Sequence, residues 1–317
     1  MIKVLIDGYY QREADISLIT VVVNICKFLG IDKIYYPYIL WHANALIRDD
    51  WGAELARVST KNFSKILNKY NVGDAIVSNG MGDIIEKLAF KLKILANTVV
   101  YRIEWSLKKP RVYTNQGIFA ADKIVVTFPL GVLKRDAKLF FPALPTQKTI
   151  SIQNLGYGSL TKIILLYKHV YWDKDQYTFA LMPDYPDFGT PTQVVSLWKY
   201  NKIPALVIHI GGNIGRIIEG FNSSQTLNWC NSILSKRFKL PANPVMLYKS
   251  KWSKDPFSNG CYTFLPVGAK IDDIKQLAAP LNQNLFFAGE ATSEDWATAH
   301  GAYLSGIREA YRIINDQ

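Results

Sequence analysis

Apolar residues recur at helical spacing near the start of the chain. The stripe, with spacings of three and four, consists of Leu18, Val21, Val22, Ile25 and Leu29. This spacing predicts one buried face of an α-helix, with Asp15 and Ser17 as candidate caps at its start. A second amphipathic segment covers residues 38–46. The pattern therefore predicts a mostly helical region over residues 1–72.

The pattern changes to that of β-strands after residue 97. Residues 98–105 alternate between apolar and more polar positions, as a half-buried strand requires. A turn at residues 115–117 and a buried strand within residues 123–130 follow. Further strands are predicted at residues 157–167, 194–200 and 205–210, with a helix at 226–238. These strands indicate a second, mainly antiparallel sheet.

The C-terminal residues predict a short buried strand followed by a helix. Residues 285–288 are apolar and end at Gly289, and Glu290 lies just beyond the strand. A helix can begin near Thr298, whose hydroxyl is suited to a cap. Its predicted buried face consists of Leu304, Ile307, Tyr311 and Ile314. A strand that ends at a helix N-terminus favours an electron-rich ligand, because free amides and the helix dipole point outward there.

Composition and charge narrow the class of protein. The chain has 317 residues, 49% of them hydrophobic, so it can bury a substantial core and form two domains. Its net charge is +11, but the Lys and Arg are scattered and accompany no recognition motif. Nucleic-acid binding is therefore unlikely as its function.

Three cysteines are too few and too far apart for a disulfide framework or a zinc site, and we predict no metal site. The apolar run over residues 16–31 is interrupted by Asn24 and Lys27 and is too short to span a membrane. The opening residues lack a secretory pattern. These features favour a reducing, cytoplasmic location.

Several segments together resemble one family. The segments are residues 285–317, residues 78–83 (SNGMGD), residues 127–134 (TFPLGVLK), residues 155–162 (LGYGSLTK) and residues 251–263 (KWSKDPFSNGCYT). They resemble the flavin-dependent amine oxidases, which include monoamine oxidases, polyamine oxidases and the flavin histone demethylases. The resemblance covers roughly residue 50 to the end. It implies FAD as the cofactor.

The resemblance assigns cofactor-binding roles to residues from several parts of the chain. Val100 falls where the family contacts adenine, and Thr127 and Pro129 lie in the run beside the cofactor. A second set is expected to hold the flavin and its ribityl chain: Gly289, Glu290, Thr298 and Ala299.

Catalytic roles are also implied by the resemblance. Lys162 begins the apolar run at residues 163–166 and is expected to be buried. It corresponds to the lysine that faces flavin N5 through a water; a surface lysine at a sheet edge is the alternative. Trp252 is expected against the flavin, and Tyr262 as one wall of an aromatic cage for the amine. Cys261 matches the cysteine that monoamine oxidases bond to the flavin, where a thiolate would be needed; a small buried apolar residue is the alternative.

The substrate is less closely defined by the sequence. Cys261 resembles the monoamine oxidases, whereas Thr298, in place of a tyrosine, resembles the spermine oxidase and demethylase branches. The implied reaction transfers hydride from the carbon beside an amine to the flavin, giving an imine, and O₂ then reoxidises the flavin and forms H₂O₂. A polyamine or diamine is the first choice of substrate, ahead of a monoamine.

The sequence lacks the family's G-x-G-x-x-G turn and its ribose-binding acidic residue. The nearest segment, residues 210–215, has Ile210 in place of the first glycine and predicts a strand, a turn and a helix. A truncated chain, a second chain that supplies this half, and a non-catalytic remnant or binding subunit are the alternatives.

The expected fold class is α/β (α+β). It is the two-domain amine oxidase architecture, with an incomplete Rossmann-like FAD domain and a substrate domain of mixed sheet and helix. The expected segments are a helical part of the substrate domain (1–75), a FAD-domain segment (76–145), a substrate-binding domain (146–270) and a C-terminal FAD-domain segment (271–317).

Overall fold

The fold is described by a computed structural model that covers residues 15–67, 77, 80–186, 189–240 and 243–315. Parts of two predicted segments lie outside the described residues. These are the helical region, at residues 1–14 and 68–72, and the family-like segment of residues 78–83, at residues 78–79.

The helices of the described residues are numbered in chain order. They are α1 (Leu18–Phe28), α2 (Tyr36–Trp51), α3 (Thr60–Leu67), α4 (Met81–Ala89), α5 (Leu130–Arg135), α6 (Thr146–Asn154), α7 (Trp198–Asn201), α8 (Gly212–Glu219), α9 (Ser223–Leu234), α10 (Ile271–Ala278) and α11 (Ala299–Asn315). Short 3₁₀ turns cover Lys33–Tyr35, Ala137–Leu139 and Glu290–Thr292. None of the helices in the described ranges has the length and apolar character needed to cross a membrane.

The strands are numbered in the same way. They are β1 (Val100–Glu104), β2 (Arg111–Thr114), β3 (Gly117–Ala120), β4 (Ile124–Val126), β5 (Phe140–Phe141), β6 (Gly156–Tyr157), β7 (Leu160–Leu166), β8 (Thr178–Ala180), β9 (Gln193–Ser196), β10 (Ala205–Gly211), β11 (Met246–Lys249), β12 (Thr263–Phe264) and β13 (Leu285–Phe287).

The strands form four sheets. A five-stranded sheet has the order β11-β7-β10-β9-β8, and all its neighbouring strands are antiparallel. This confirms the predicted second, antiparallel sheet. A four-stranded sheet has the order β3-β2-β1-β5, and its β2-β3 hairpin confirms the predicted turn. Two pairs complete the set: β12 with β6, and β13 parallel to β4.

Alternation along β7 sets the two faces of the five-stranded sheet. Thr161, Ile163 and Leu165 are fully buried. Ile163 and Leu165 pack with Cys230 and Leu234 of α9 in one apolar cluster. Because side chains alternate along a strand, Lys162 lies on the opposite face. The sequence of β7 therefore directs a lysine away from the core.

Two further apolar clusters form separate parts of the core. One joins β4, β13, α5 and α10, and includes Leu130, Leu277 and Phe287. The other joins α1, α2 and β12, and includes Val21 and Phe264. The four-segment division of the chain stays a prediction.

Lys148 on α6 binds the C-terminal end of α10 and packs against a residue of β13. Its ammonium group donates hydrogen bonds of 2.7–2.8 Å to the carbonyl oxygens of Gln276, Leu277 and Ala279, where α10 ends. It also lies 4.1 Å from the ring centroid of Phe287. Burial lowers the pKa of Lys148 to about 7, and Glu309 acts in the opposite direction. A lysine near the end of a helix satisfies carbonyl groups that would otherwise lack partners.

The predicted strand at residues 194–200 is wrong in its second half. Strand β9 ends at Ser196, and the chain turns into α7. The Ser196 hydroxyl accepts hydrogen bonds from the Trp172 indole (2.8 Å) and from the backbone N–H of Trp198 (3.2 Å). These bonds favour a helical turn after Ser196.

The predicted buried face of α11 is also wrong. Leu304, Tyr311 and Ile314 are 47%, 64% and 63% exposed, whereas the buried residues of this helix are Gly301, Ser305 and Glu309. Arg308 and Arg312 explain this orientation, because they donate to carbonyl oxygens of neighbouring segments and to the Glu309 carboxylate. Hydrogen bonding, rather than the apolar stripe, therefore orients α11.

Candidate functional site

A cavity of about 450 Å³ lies beyond the carboxyl ends of the parallel strands β4 and β13. Its lining comes from four separate parts of the chain: residues 126–133, residues 157–162, residues 252–262 and residues 277–302. Ligands of α/β sheets commonly bind at this edge of parallel strands. The volume falls within the usual range of small-molecule and cofactor sites.

The segment after β4 forms one wall. Thr127 and Pro129 line the cavity, and Pro129 is the N-cap residue of α5. Gly131 packs tightly against Ser258 and Tyr157. A Cβ built on Gly131 would be 2.3 Å from the carbonyl oxygen of Ser258 and 2.6 Å from the Tyr157 ring. Close packing therefore fixes residues 127–131 against the segments that carry Tyr157 and Ser258.

The segment after β13 forms a second wall. Gly289 has a φ of +123° and ψ of 167°, and its N–H donates to the Ser305 hydroxyl at 2.8 Å. A Cβ built on Gly289 would meet no atom within 4 Å. This conformation is almost exclusive to glycine. It turns the chain sharply beside open space at the cavity.

Glu290 also lines the cavity, but its carboxylate oxygens have protein partners. They accept from the Thr263 hydroxyl (2.8 Å), the Ala297 N–H (2.8 Å) and the Thr263 N–H (3.3 Å). Burial raises the pKa of Glu290, whereas these hydrogen bonds lower it. The geometry gives Glu290 a role in joining the loop after β13 to β12.

Thr298 begins α11 as the sequence predicts. Its hydroxyl accepts from the Gly301 N–H at 3.0 Å and donates to the Asp295 carbonyl at 2.6 Å. A Cβ on Gly301 would lie 2.2 Å from that carbonyl oxygen, so only glycine fits there. Neither Thr298 nor Ala299 is among the residues that line the cavity, although Ala302 is.

Lys162 lines the cavity from β7. The expectation that its side chain is buried is wrong, because Lys162 is exposed. Alternation along β7 explains this, since the core takes the residues on either side of Lys162. The lysine nevertheless faces the space that the other predicted residues share.

His209 on β10 is the cross-strand partner of Lys162. Cross-strand partners have Cβ atoms about 5 Å apart. Burial and, second to it, the positive charge of Lys162 lower the pKa of His209 to about 4. A neutral imidazole therefore stands next to the lysine at neutral pH. No sequence motif marks His209, because only the register between β10 and β7 brings it next to Lys162.

Trp252, Cys261 and Tyr262 line the cavity together. Their segment is held by bonds from the Gly260 N–H to the Trp252 carbonyl (3.0 Å) and from the Cys261 N–H to the Gly158 carbonyl (2.9 Å). The Tyr262 hydroxyl donates to the Asp50 carbonyl at 2.8 Å. Burial raises the pKa of Tyr262. The phenol is therefore a fixed, neutral wall of the cavity.

Cys261 has the environment of a thiol and not of a thiolate. Burial raises its pKa to about 12, and the carboxylate of Glu290 acts in the same direction. A Cβ built on Gly52 would lie 3.0 Å from the Cys261 sulfur, which shows how closely the two segments pack. The thiolate needed for a bond to the flavin is therefore disfavoured at this half-buried sulfur, and the choice between the two roles of Cys261 stays a prediction.

The cavity brings together most of the predicted site residues, from Thr127 to Glu290, but not all of them. Val100, at the start of β1, packs against the apolar cluster of β4 and β13 and is not among the lining residues. Tyr157, Leu277 and Phe287 line the cavity but were missed as site residues. Their side chains look like ordinary core residues in the sequence, and only the fold shows that they border a cavity.

Comparison with known proteins identifies the family to which the chain belongs. The family model for flavin-containing amine oxidoreductases matches residues 30–314. The chain belongs to this family.

Two plant relatives are about one-third identical to the chain over the aligned residues. Lysine-specific histone demethylase 1 homolog 1 of Oryza sativa subsp. japonica is 32% identical over 246 residues, which are 75% of the chain and 29% of that protein. Polyamine oxidase 5 of the same organism is 32% identical over 303 residues, which are 94% of the chain and 60% of that protein. The chain thus spans less than two thirds of the length of either relative.

A solved structure shows the same fold. It is a double mutant of a putrescine oxidase, made in a redesign of its cofactor binding, and it superimposes with a TM-score of 0.75 at 16% identity. The match covers 95% of the chain and 68% of the oxidase. This confirms the predicted α/β amine oxidase fold.

Membership of the family implies a flavin cofactor, and the cavity of this amine oxidase family member fits a flat ring system. Leu133, Leu160 and Phe287 contribute apolar surface, and Thr127 and Lys162 contribute polar groups at its rim. Flavin rings need this combination of apolar faces and a few polar contacts at their edges. The open space beside Gly289 lies where the resemblance places the flavin and its ribityl chain.

Proposed function

We propose that the chain is a flavin-dependent amine oxidase that uses FAD. In this proposal it oxidises a polyamine or monoamine to an imine, and O₂ is the final electron acceptor that yields H₂O₂. The bound flavin supplies the acceptor for the hydride removed from the carbon next to the amine nitrogen.

The observation that carries the proposal is the composition of the cavity. Lys162, Trp252 and Tyr262 line it together with Thr127 and Gly289, which come after the parallel strands. A flat cofactor held at Thr127 and Gly289 would leave the aromatic and lysine groups to meet the amine. This arrangement suits a reaction between a ring and a small amine.

The residues of the chain would act on the amine in distinct ways. Tyr262 and Trp252 present aromatic faces, which attract cationic amines and shape the pocket for the neutral form. The hydrogen bond to the Asp50 carbonyl fixes the Tyr262 ring. Lys162 would hold a water at the reacting position.

The proposal assigns cofactor contacts to specific residues. Thr127, Pro129, Gly289 and Glu290 would hold the flavin part, since they line the cavity. Val100, Thr298 and Ala299 lie outside the lining and are retained as contacts of the more distant parts of FAD. The polyamine oxidase relative covers nearly the whole chain, which supports a polyamine or diamine as the first choice of substrate.

The test is reconstitution of the full chain with FAD. We expect the purified protein to bind FAD and to show the visible flavin absorbance band. The band should bleach when spermidine or putrescine is added without oxygen and recover, with H₂O₂ formed, when oxygen is admitted. Phenylethylamine in place of the polyamine separates a monoamine preference from a polyamine preference. A protein that binds FAD but is bleached by none of these amines contradicts the proposal.

A second candidate is a binding subunit or non-catalytic remnant. Strand β4 pairs with β13 alone among the described strands, so its other edge is open to a further strand. A second chain that supplies the remaining FAD-binding half would fit this edge. A chain that stays colourless with FAD, alone and at any concentration, would favour this candidate over an autonomous oxidase.

A further inference from the structure

A buried carboxylate lies outside the cavity and has no part in the proposed reaction. Glu219, the last residue of α8, is 2% exposed. Burial raises its pKa, while bonds from Ser253 and Thr161 and the charges of Arg216 and Lys254 lower it. A buried carboxylate is costly unless its hydrogen bonds are satisfied, so its partners indicate what it does.

The partners of Glu219 are the immediate chain neighbours of two cavity residues. Its Oε1 accepts from the Thr161 hydroxyl at 3.2 Å, and Thr161 precedes Lys162. Its Oε2 accepts from the Ser253 N–H at 3.1 Å, and Ser253 follows Trp252. A single side chain therefore joins the strand of the lysine to the turn of the tryptophan.

Additional bonds lock the same two segments together. The Lys162 N–H donates to the Ser250 hydroxyl at 2.8 Å, and the Ser250 N–H donates to the Lys162 carbonyl at 3.0 Å. The hydroxyls of Ser253 and Ser159 are 2.6 Å apart. Strand pairing ends at Lys249, so these contacts, together with backbone bonds inside the turn, hold the turn that begins at Ser250.

We propose that Glu219 is a positioning residue that sets the placement of Trp252 relative to Lys162 across the cavity. This inference rests on the proposed oxidase function for its kinetic consequence. The indole of Trp252 is 50% exposed, so packing alone constrains it weakly. The position of Trp252 depends on the backbone of the next residue, Ser253. The Ser253 N–H donates to the carboxylate of Glu219.

The amide of glutamine offers a direct control on this role. In the native protein Oε2 of Glu219 accepts from the Ser253 N–H at 3.1 Å. Oε1 lies 3.2 Å from the Thr161 hydroxyl, which also donates to the Gly215 carbonyl at 3.0 Å. A glutamine can place its amide oxygen at Oε2, where it accepts from Ser253, and donate its NH₂ to the Thr161 hydroxyl. A positioning role therefore predicts that Glu219→Gln retains the native arrangement, whereas Glu219→Ala loses it.

The experiment compares the full-length chain with Glu219→Ala, Glu219→Gln and Thr161→Val. Glu294→Ala is the matched control, because Glu294 is an exposed carboxylate in an ion pair with Lys275. The first measurement is the alkylation rate of Cys261 by iodoacetamide in the flavin-free protein, followed by peptide mass spectrometry. Cys26 and Cys230 are buried and serve as internal references for global opening.

The expected result is a several-fold faster alkylation of Cys261 in Glu219→Ala and Thr161→Val. The rates at Cys26 and Cys230 should not change, and Glu219→Gln should match the native chain. With FAD and amine, Glu219→Ala should lower kcat by about tenfold to a hundredfold with KM little changed, as misplacement of a positioned group does. Glu219→Gln should restore most of kcat.

Two outcomes overturn the inference. One is native alkylation and native kcat in both Glu219→Ala and Thr161→Val. The other is a parallel rise in alkylation of all three cysteines, which indicates a purely structural role. If Glu219→Ala does not fold, Thr161→Val and Glu219→Gln decide in the same way. A native chain without oxidase activity would defeat the proposed function, and the alkylation rates would still decide the role of Glu219.

Discussion

The carboxylate of Glu290 accepts a 2.8 Å hydrogen bond from the hydroxyl of Thr263, which ties the loop after β13 to β12. The neighbours of Thr263 along the chain are Tyr262 and, one residue further, Cys261, which both line the cavity. The bond therefore connects the wall expected to hold the cofactor with the wall expected to meet the amine.

Glu290→Ala should destabilise the protein by about 1–3 kcal/mol, because it leaves the N–H groups of Thr263 and Ala297 without an acceptor. Urea unfolding measures the change. Glu294→Ala, at an exposed carboxylate four residues further, is the control and should change stability by less than about 0.5 kcal/mol. Equal stability of the two variants would contradict this role of Glu290.

Lys162→Met should slow turnover or flavin reoxidation on the order of a hundredfold while FAD affinity stays the same, because the side chain lines the cavity but belongs to the five-stranded sheet and not to the parallel pair β4 and β13. Stopped-flow absorbance separates flavin reduction from reoxidation. Lys168→Met, an exposed lysine beyond the end of β7, should behave like the native chain. Native kinetics in Lys162→Met would remove the lysine from the mechanism.

FAD should be released from the protein by acid precipitation, because the raised pKa of Cys261 keeps its sulfur as a thiol. The measurement is the division of flavin colour between supernatant and pellet. Cys261→Ala should give the same division as the native chain. Colour that stays in the native pellet and leaves the pellet of Cys261→Ala would establish a covalent bond.

Acid should destabilise the native chain through His209. Its folded-state pKa of about 4 lies below its ordinary value of 6.5, so the unfolded chain binds more protons between these values. Stability therefore falls as pH drops from about 6.5 towards about 4, by about 1–2 kcal/mol between pH 7 and pH 5 from this group.

His209→Leu should remove the loss of stability between pH 7 and pH 5 that comes from His209, since leucine fills similar space and does not titrate. Urea midpoints of the native chain and the variant at both pH values test this. His42→Leu, an exposed histidine on α2, serves as the control. The same loss of stability on acidification in native chain and His209→Leu would contradict the assignment to His209.

The sequence was most informative where a pattern has one structural solution. The apolar residues of β7 and the run at residues 285–287 predicted strands, because buried strands need such runs. Thr298 was recognised as the start of a helix from its hydroxyl and position. Most cavity residues were found by family resemblance, since their motifs keep the same order along the chain.

The sequence was least informative where side chains find partners far along the chain. The orientation of α11 depends on Arg308 and Arg312 reaching carbonyl groups of Thr292 and Ala278, which hydropathy does not register. Glu219 looks like an ordinary helix-end carboxylate, and only the fold places it beside Ser253. Local patterns predict which elements form, whereas their contacts decide which residues position the site.

Gly289 separates two reasons why a position admits only glycine. At Gly211 the reason is space, since a Cβ there would lie 1.8 Å from the Arg48 carbonyl oxygen. At Gly289 space is free and the reason is handedness, because an L-residue is strained at a φ of +123° whatever its size. A saturation library at position 289 should therefore show a nearly uniform loss of stability in the flavin-free protein from alanine to tryptophan. The fold requires a handedness at this position, not a small volume.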